Sequence, residues 1–382
     1  MRSHDKRDLI VLAAGGTGGH LFPAQALAEE LGGRGFEVHL FSDARVRDHG
    51  AEFPATQIYE IPSATVTLSR PHRLPLQTWR LVRGYGMSRA ILRRLRPRVV
   101  VGFGGYPSYP PMLAAWRLGI PTVIHEQNAV MGRANRAIAR SAAAIASSFP
   151  VIVNLPPRLR AKVVLTGNPV RAAVQKVAGA PYEKPMLDKP FRILVFGGSQ
   201  GARYFSELLP AAMADLPGAV RRKLRVTQQC RPEDIEAVQS KYAELKLEHE
   251  VAPFFADMAA RLVAAHLVIC RAGASTIAEL GVVGRPAVLV PLPHSIESDQ
   301  LHNARSFARA GAGWLVPEAE MTPEFLASLI TRFRFQENEL VDAAAAARHE
   351  GRVDAAKRLA DLVQSRITVP DAIPEAEKEQ PA

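Results

Sequence analysis

The stretch AAGGTGGHLFPA, residues 13–24, follows the apolar run Ile10–Leu12 and leads into a helical pattern. Four glycines in five positions, 15 to 19, end at His20. A turn between a strand and a helix gathers backbone N–H groups at the helix N-terminus, where an anion is stabilised. Glycines there let the main chain approach a ligand closely. The familiar dinucleotide and P-loop fingerprints both fail. Leu21 stands where G-x-G-x-x-G needs its last glycine, and no Gly-Lys-Ser/Thr follows Gly15. The turn is echoed at LVFGGSQGARYFSELLPAAM, residues 194–213. Two doubly wound α/β domains, each opening on a glycine turn with the ligand cleft between them, is the architecture this predicts. His20, in the first turn of its helix, would face that cleft. A helix N-terminus disfavours the imidazolium, so the ring could act as a base, or simply cap the turn.

Short apolar runs alternate with helical patterns throughout, as in parallel sheets covered by helices. The expected strands are 10–14, 37–41, 99–102, 122–124, 144–146 and 163–165, then 193–196, 225–227, 249–251, 267–270, 287–290 and 313–315. The expected organisation is a first domain over 1–171, an Ala/Pro/Lys-rich linker over 172–190 and a second domain over 191–343. The acidic, proline-bearing tail, 367–382, is expected to be disordered.

In 382 residues there are two cysteines, too few for a disulfide framework, and Cys270 ends a buried strand pattern. No secretory signal and no membrane-spanning run is legible, so a cytoplasmic location, or the cytoplasmic side of a membrane, is expected. The formal charge of +11 is unevenly spread. Between Glu60 and Glu183 lie sixteen arginines and two lysines against one acid, Glu126. Such a field draws nucleic acid, anionic lipid or a phosphorylated substrate, unless it is merely a solvated basic surface.

Other polar constellations follow strands. VVVGFGGYPSYPP (99–111) repeats the strand–glycine pattern, and VIHEQNAVMGRANR (123–136) puts His125, Glu126, Gln127 and Asn128 at a carboxyl strand end. Glu126 would orient or deprotonate a substrate, or neutralise an arginine. Arg171 in TGNPVR could grip a phosphate. In VICRAGASTIAEL, Ser275 and Thr276 could cap a helix or bind phosphate, and Glu279 could accept from a ribose diol or only favour the helix start. PLPHSIESDQLHNA (291–304) is dense in His294, Asp299, Gln300 and Asn303, a set that suits sugar hydroxyls or a polar loop. No zinc-type His/Cys spacing and no Asp-x-Asp pair occurs, so neither metal nor cofactor is expected. Gly197–Gly201 formally matches the G-x-S-x-G nucleophile elbow, with Asp257 and His294 as triad partners, but its echo carries Thr17 in place of Ser199.

GGTGGHLFPA, FGGYPS, HEQN, GNPVR, GGSQGA, RAGASTIAE and DQLHNA, in this order over about 290 residues, together resemble the MurG family. Its members are N-acetylglucosaminyltransferases that convert lipid I to lipid II in bacterial peptidoglycan synthesis. The resemblance implies a glycosyltransferase-B fold, with UDP-N-acetylglucosamine (UDP-GlcNAc) held mainly by the second domain. By family pattern Thr17, Gly18 and Gly19 meet the sugar-phosphate side of the donor or the acceptor diphosphate. Asn128 reaches GlcNAc hydroxyls, while Arg171 and Ser199 contact the diphosphate. The segment around Phe255 faces uracil. Ala274, Ser275, Thr276 and Glu279 line phosphate and ribose, and Gln300 binds the sugar. Asp299 stands where some members carry a first glutamine, which leaves the partner of the sugar C4 hydroxyl open between Asp299 and Gln300. A helix over about 344–366 is expected to return to the first domain.

The resemblance implies an inverting, metal-independent transfer to the 4-hydroxyl of lipid-linked N-acetylmuramic acid, with His20 as leading base and Glu126 as rival or orienting group. It also gives the basic region a partner. Leu81, Tyr85, Leu92 and Leu95 fall on one helical face, with Arg83 and Arg94 opposite, Arg93 flanking, and Leu74, Leu76 and Trp79 just before. That is a peripheral signature for an anionic membrane surface at the cytoplasmic face of the cell membrane; an ordinary core-facing amphipathic helix would explain the stripe but not the missing acids, and the two can both hold. Other cell-wall and division proteins are expected partners; nucleic acid is not. Alternatives are a UDP-sugar transferase acting on diacylglycerol and an NAD-dependent oxidoreductase with Asp43 as its ribose-binding acid.

Overall fold

The computed structural model describes residues 8–15, 18–49, 53–64 and 74–367. Thr17, the side chain of Ser199 and the tail from 368 lie outside the described residues. The first sheet is built from β1 (Leu9–Ala13), β2 (Glu37–Ser42), β3 (Gln57–Glu60), β4 (Val99–Gly102), β5 (Thr122–Glu126), β6 (Ala144–Ser147) and β7 (Val163–Leu165), in the order β3-β2-β1-β4-β5-β6-β7. The second is built from β8 (Phe191–Phe196), β9 (Leu224–Gln229), β10 (Glu248–Ala252), β11 (Leu267–Cys270), β12 (Ala287–Leu289) and β13 (Gly313–Leu315), in the order β10-β9-β8-β11-β12-β13. All pairings between these strands are parallel.

The central strands are apolar throughout because both sheet faces are covered. Ile10 to Ala13 and Leu267 to Cys270 have no exposed surface. β3 has no such run. QIYE is an edge strand, half-exposed along its length, and the hydrophobic pattern does not announce it. In each sheet the strand order reverses beside the first strand, between β1 and β4 and between β8 and β11. Crevices for ligands open at such points, beyond the carboxyl ends of the strands. All four strands flanking the two crevices end in glycine-bearing turns: Gly15, Gly104–Gly105, Gly197 and Gly273.

The stretch 344–366 is not one returning helix. The Glu337–Glu350 helix packs on the Ala274–Val283 helix of the second domain. After a break at Gly351–Asp354, the Ala355–Gln364 helix crosses to the first domain and packs on the Gly18–Gly33 helix. Leu359, Ala360, Leu362 and Val363 join the core formed by Ile10, Leu12, Leu27 and Leu40. Arg34 secures the crossing, donating to Asp361 at 2.6 Å, to the Lys357 carbonyl and to Gln364.

The Leu74–Leu95 helix corrects the expected membrane stripe. Leu92 is fully buried, and Tyr85 and Leu95 pack on the same core, so this face points inward. The most exposed apolar side chains of this helix are Leu76 (52 %), Trp79 (55 %) and Val82 (64 %), among the exposed Arg80 and Arg83. Arg83 lies over the Trp79 ring at 5.3 Å.

Candidate functional site

The glycine turn after β1 serves first to seat a histidine. The His20 ring lies against Gly15, Gly104 and Gly105: a Cβ on these glycines would stand 3.5, 3.4 and 3.2 Å from ring carbons. Gly104 and Gly105 have φ of +84° and +74°, which β-carbon-bearing residues rarely adopt. Nδ1 of His20 is buried without a hydrogen-bond partner. Burial lowers the pKa of His20; Gln127 and the Phe103 carbonyl raise it in part. The ring is therefore held in its neutral form at physiological pH.

Glu126, at the end of β5, lines the same cavity and is 1 % exposed. It accepts from the backbone N–H of Asn128 (3.2 Å) and Gly132 (3.0 Å) and from Asn135 Nδ2 (2.8 Å). Burial still outweighs these donors and pushes its pKa up to about 6. The carboxyl thus ties together the loop that presents Asn128. His125 is wholly interior. Gln127 Nε2 donates to its Nδ1 at 3.1 Å and to the Phe103 carbonyl at 2.8 Å, and the opposite ring nitrogen meets the Gly167 carbonyl. Its pKa is lowered to about 4, mainly by burial, so it acts as a neutral strut.

The second domain meets this pocket through the Asp299–Arg309 helix. Asn303, fully buried, donates to Asn128 Oδ1 (3.0 Å) and the Ala272 carbonyl (3.1 Å) and accepts from the Ala129 N–H (2.8 Å). It holds the two domains together at the cleft floor. Asp299 lines the cavity with His20, Glu126 and Asn128. Gln300 is turned the other way: its Oε1 accepts from the N–H of Ala272 and Leu292, leaving its Nε2 as a donor.

Arg171 and Glu279 form a bidentate pair across the domains, at 2.8 and 3.0 Å, with Arg171 also over the Phe22 ring. Glu279 is on the Ala274–Val283 helix, whose N-cap, Gly273, makes no side-chain cap, and Ser275 Oγ is buried there without a partner. Ala274, Ser275 and Thr276 form the first turn of that helix, so its first N–H groups are available to an anion. Gly18 and Gly19 begin the Gly18–Gly33 helix, and Ser199 lies in the first turn of the Gly198–Asp215 helix. Phe255 is buried beneath the Arg261 guanidinium, 4.0 Å from its ring centroid, so only its backbone remains to face a ligand; Phe254 is the exposed ring beside it. The hydrolase alternative has no geometry here: Asp257 pairs with Arg261 and His294 is exposed.

The elements that sequence reading did not connect are Gly104–Gly105 as the bed of His20, Asn303 as the interdomain tie, and an ion pair of Glu297 with Arg133 (2.7 Å) and Arg136 (3.5 Å) at the cavity mouth. No local pattern links residues so distant in the chain.

Residues 10–147 match the family model of the glycosyltransferase family 28 N-terminal domain, and residues 192–359 that of the family 28 C-terminal domain. Relatives from Rhizobium rhizogenes and Rhizobium meliloti are each 48% identical over 94% of this chain and 96% of their own. Both are named UDP-N-acetylglucosamine--N-acetylmuramyl-(pentapeptide) pyrophosphoryl-undecaprenol N-acetylglucosamine transferase. The crystal structure of Acinetobacter baumannii MurG superposes with a TM-score of 0.76 at 33% identity, covering 94% of this chain and 99% of that one. A kitacinnamycin glycosyltransferase shares the fold at 20% identity, with a TM-score of 0.69 over 95% of this chain and 99% of its own. Two parallel-sheet domains meeting at a shared cleft, both halves of family 28 and close relatives along nearly the whole chain lead to one conclusion: the chain belongs to the MurG family of glycosyltransferases.

Proposed function

We propose that this chain transfers N-acetylglucosamine from UDP-GlcNAc to the 4-hydroxyl of N-acetylmuramic acid in undecaprenyl-diphosphate-linked muramoyl-pentapeptide, with inversion and without a metal. The observation that carries the mechanism is a neutral His20 seated in a glycine bed, on the cavity that Glu126 and Asn128 also line. The acceptor O4 attacks the anomeric carbon as its proton passes to His20. The bond from that carbon to the UDP oxygen breaks and UDP leaves with the electron pair. The charge developing on UDP is met by N–H groups of the helices starting at Gly198 and Ala274, and by Arg171. Arg171 exchanges its Glu279 partner for the diphosphate, which frees the Glu279 carboxylate for the ribose diol. Glu126 acts through Asn128 by holding its loop.

In this reading the chain works at the cytoplasmic face of the cell membrane. Leu76, Trp79 and Val82 enter the lipid interface, and Arg80 and Arg83 meet anionic headgroups. No helix among the described residues is long and apolar enough to cross a membrane. Roles in cell shape and division, with partners from the cell-wall machinery, follow from the product. The test is transfer of labelled GlcNAc to a lipid I analogue, with and without a chelator. His20→Ala should lower kcat about 100- to 10,000-fold with UDP affinity unchanged. Near-normal turnover would remove His20 as base, and transfer only to diacylglycerol would replace the acceptor.

A further inference from the structure

The cavity that holds His20 has an unfavourable lining for the acceptor assigned to it above. Glu126 and Asp299 form its acidic wall, His20 is neutral, and Arg133 is the arginine among the described residues that line it. An acceptor carrying a diphosphate needs countercharge there. Arg133 and its neighbour Arg136, one helical turn apart in the Arg133–Ile138 helix, are already occupied by Glu297 of the other domain. The Glu297 carboxylate is held well in its charged form by Arg133 first of all.

The loop that delivers Glu297 is strained. Glu297 and Ser298 are consecutive non-glycine residues in the left-handed region, with φ of +56° and +54°. Side chains with a β-carbon visit that region at a cost, and two in succession are held only where something fixes them. The Glu297 ion pair is a contact across the cleft that can do so. Ser298 is also the N-cap of the Asp299–Arg309 helix, which carries Gln300 and Asn303.

We infer that Arg133 and Arg136 are the docking point for an anionic group of the acceptor, and that Glu297 is an internal competitor for it. The acceptor anion displaces the carboxylate, the strained loop relaxes away from the mouth, and the start of the helix that carries Gln300 is reset as the acceptor arrives. Arg133 and Arg136 are positioning residues, and Glu297 sets the threshold for acceptor entry. This rests on the acceptor reading above; the anion is the diphosphate or a peptide carboxylate of that substrate.

The experiment uses the full chain, UDP-GlcNAc and a short-chain lipid I analogue. Glu297→Gln should lower the acceptor KM about two- to fivefold, the worth of an exposed ion pair. Arg133→Gln with Arg136→Gln should raise the acceptor KM about tenfold. Both variants break the same contact, so a merely structural pair would move the two values together. Glu297→Gly removes the carboxylate while accommodating the backbone, and should act as Glu297→Gln does. An analogue without its peptide separates the two sources of charge: the gain persists if the diphosphate docks and vanishes if the peptide does. Affinity for inorganic pyrophosphate under saturating UDP gives a reading that needs no turnover, tightened by Glu297→Gln and weakened by the arginine variants. Lack of transfer by the wild type would sink the acceptor reading alone. Shifts of one sign in both variants, or no tightening in Glu297→Gln, would overturn the competitor role.

Discussion

Replacing Glu126 with glutamine separates an anchor from a base. The carboxyl is almost wholly buried, and burial dominates its titration, pushing the pKa from 4.5 to about 6 despite three donors. The folded state therefore favours the neutral acid. That contribution is fully present below about pH 4.5 and is lost as pH rises through about 6. The difference between the two pKa values amounts to about 2 kcal/mol of pH-dependent stability. Glutamine stays neutral. Its oxygen can keep Gly132 and Asn135, while its amide nitrogen turns toward the Asn128 N–H, a mismatch resembling that of the protonated acid. Urea unfolding at about pH 4.5 and about pH 7.5 reads the outcome. The stability of Glu126→Gln relative to wild type should rise by about 2 kcal/mol from the lower to the higher pH. In parallel, kcat should stay within roughly tenfold of wild type, since an anchor that keeps its loop costs less than a lost base. A stability difference that is flat or reversed in sign would refute dominant burial. A kcat loss of about a thousandfold or more with the loop still ordered would make Glu126 the base.

Gly105→Ala forces a β-carbon onto a φ of +74° and to 3.2 Å from the His20 ring; it should cost about 1–2 kcal/mol of stability and more than about tenfold in kcat through the displaced imidazole, checked by thermal melts and initial rates. Glu279→Gln should leave Arg171 without its charged partner and raise the donor KM at least about tenfold with a smaller change in the acceptor KM, measured by varying each substrate in turn. Trp79→Glu with Val82→Glu should reduce sedimentation with anionic vesicles about tenfold or more while transfer to a soluble acceptor analogue continues at the wild-type rate.

The architecture is legible in the chain because both crevices are announced locally. Ile10–Ala13 and Leu267–Cys270 are apolar runs followed by glycines, and each needs only its neighbours to be read. β3 is lost for the opposite reason: an edge strand covered on few sides carries no apolar run. The Leu74–Leu95 helix shows a different failure. Its regular stripe of Leu, Tyr and Leu is the face that packs inward, whereas Leu76, Trp79 and Val82 form an irregular exposed set that periodicity does not single out. The helix expected over 344–366 runs straight through Gly351, where the structure breaks it, and nothing local says that the two flanking helices serve different domains. Within the site, candidate residues are readable from motif and position at strand ends. Their pairings are not: Arg171 with Glu279 and His20 with Gly105 are products of the tertiary fold.

The crossing of the Ala355–Gln364 helix has a consequence for how the molecule is made. Leu359 and Val363 fill a core whose other members come from the opening strands and helix. During synthesis those strands leave the ribosome long before the helix that completes their packing. The nascent amino-terminal half must wait with an uncovered apolar groove while the other half folds. A released chain ending at residue 354 should therefore display a protease-resistant later domain beside a still-cleavable earlier one, the reverse of the order in which they emerged.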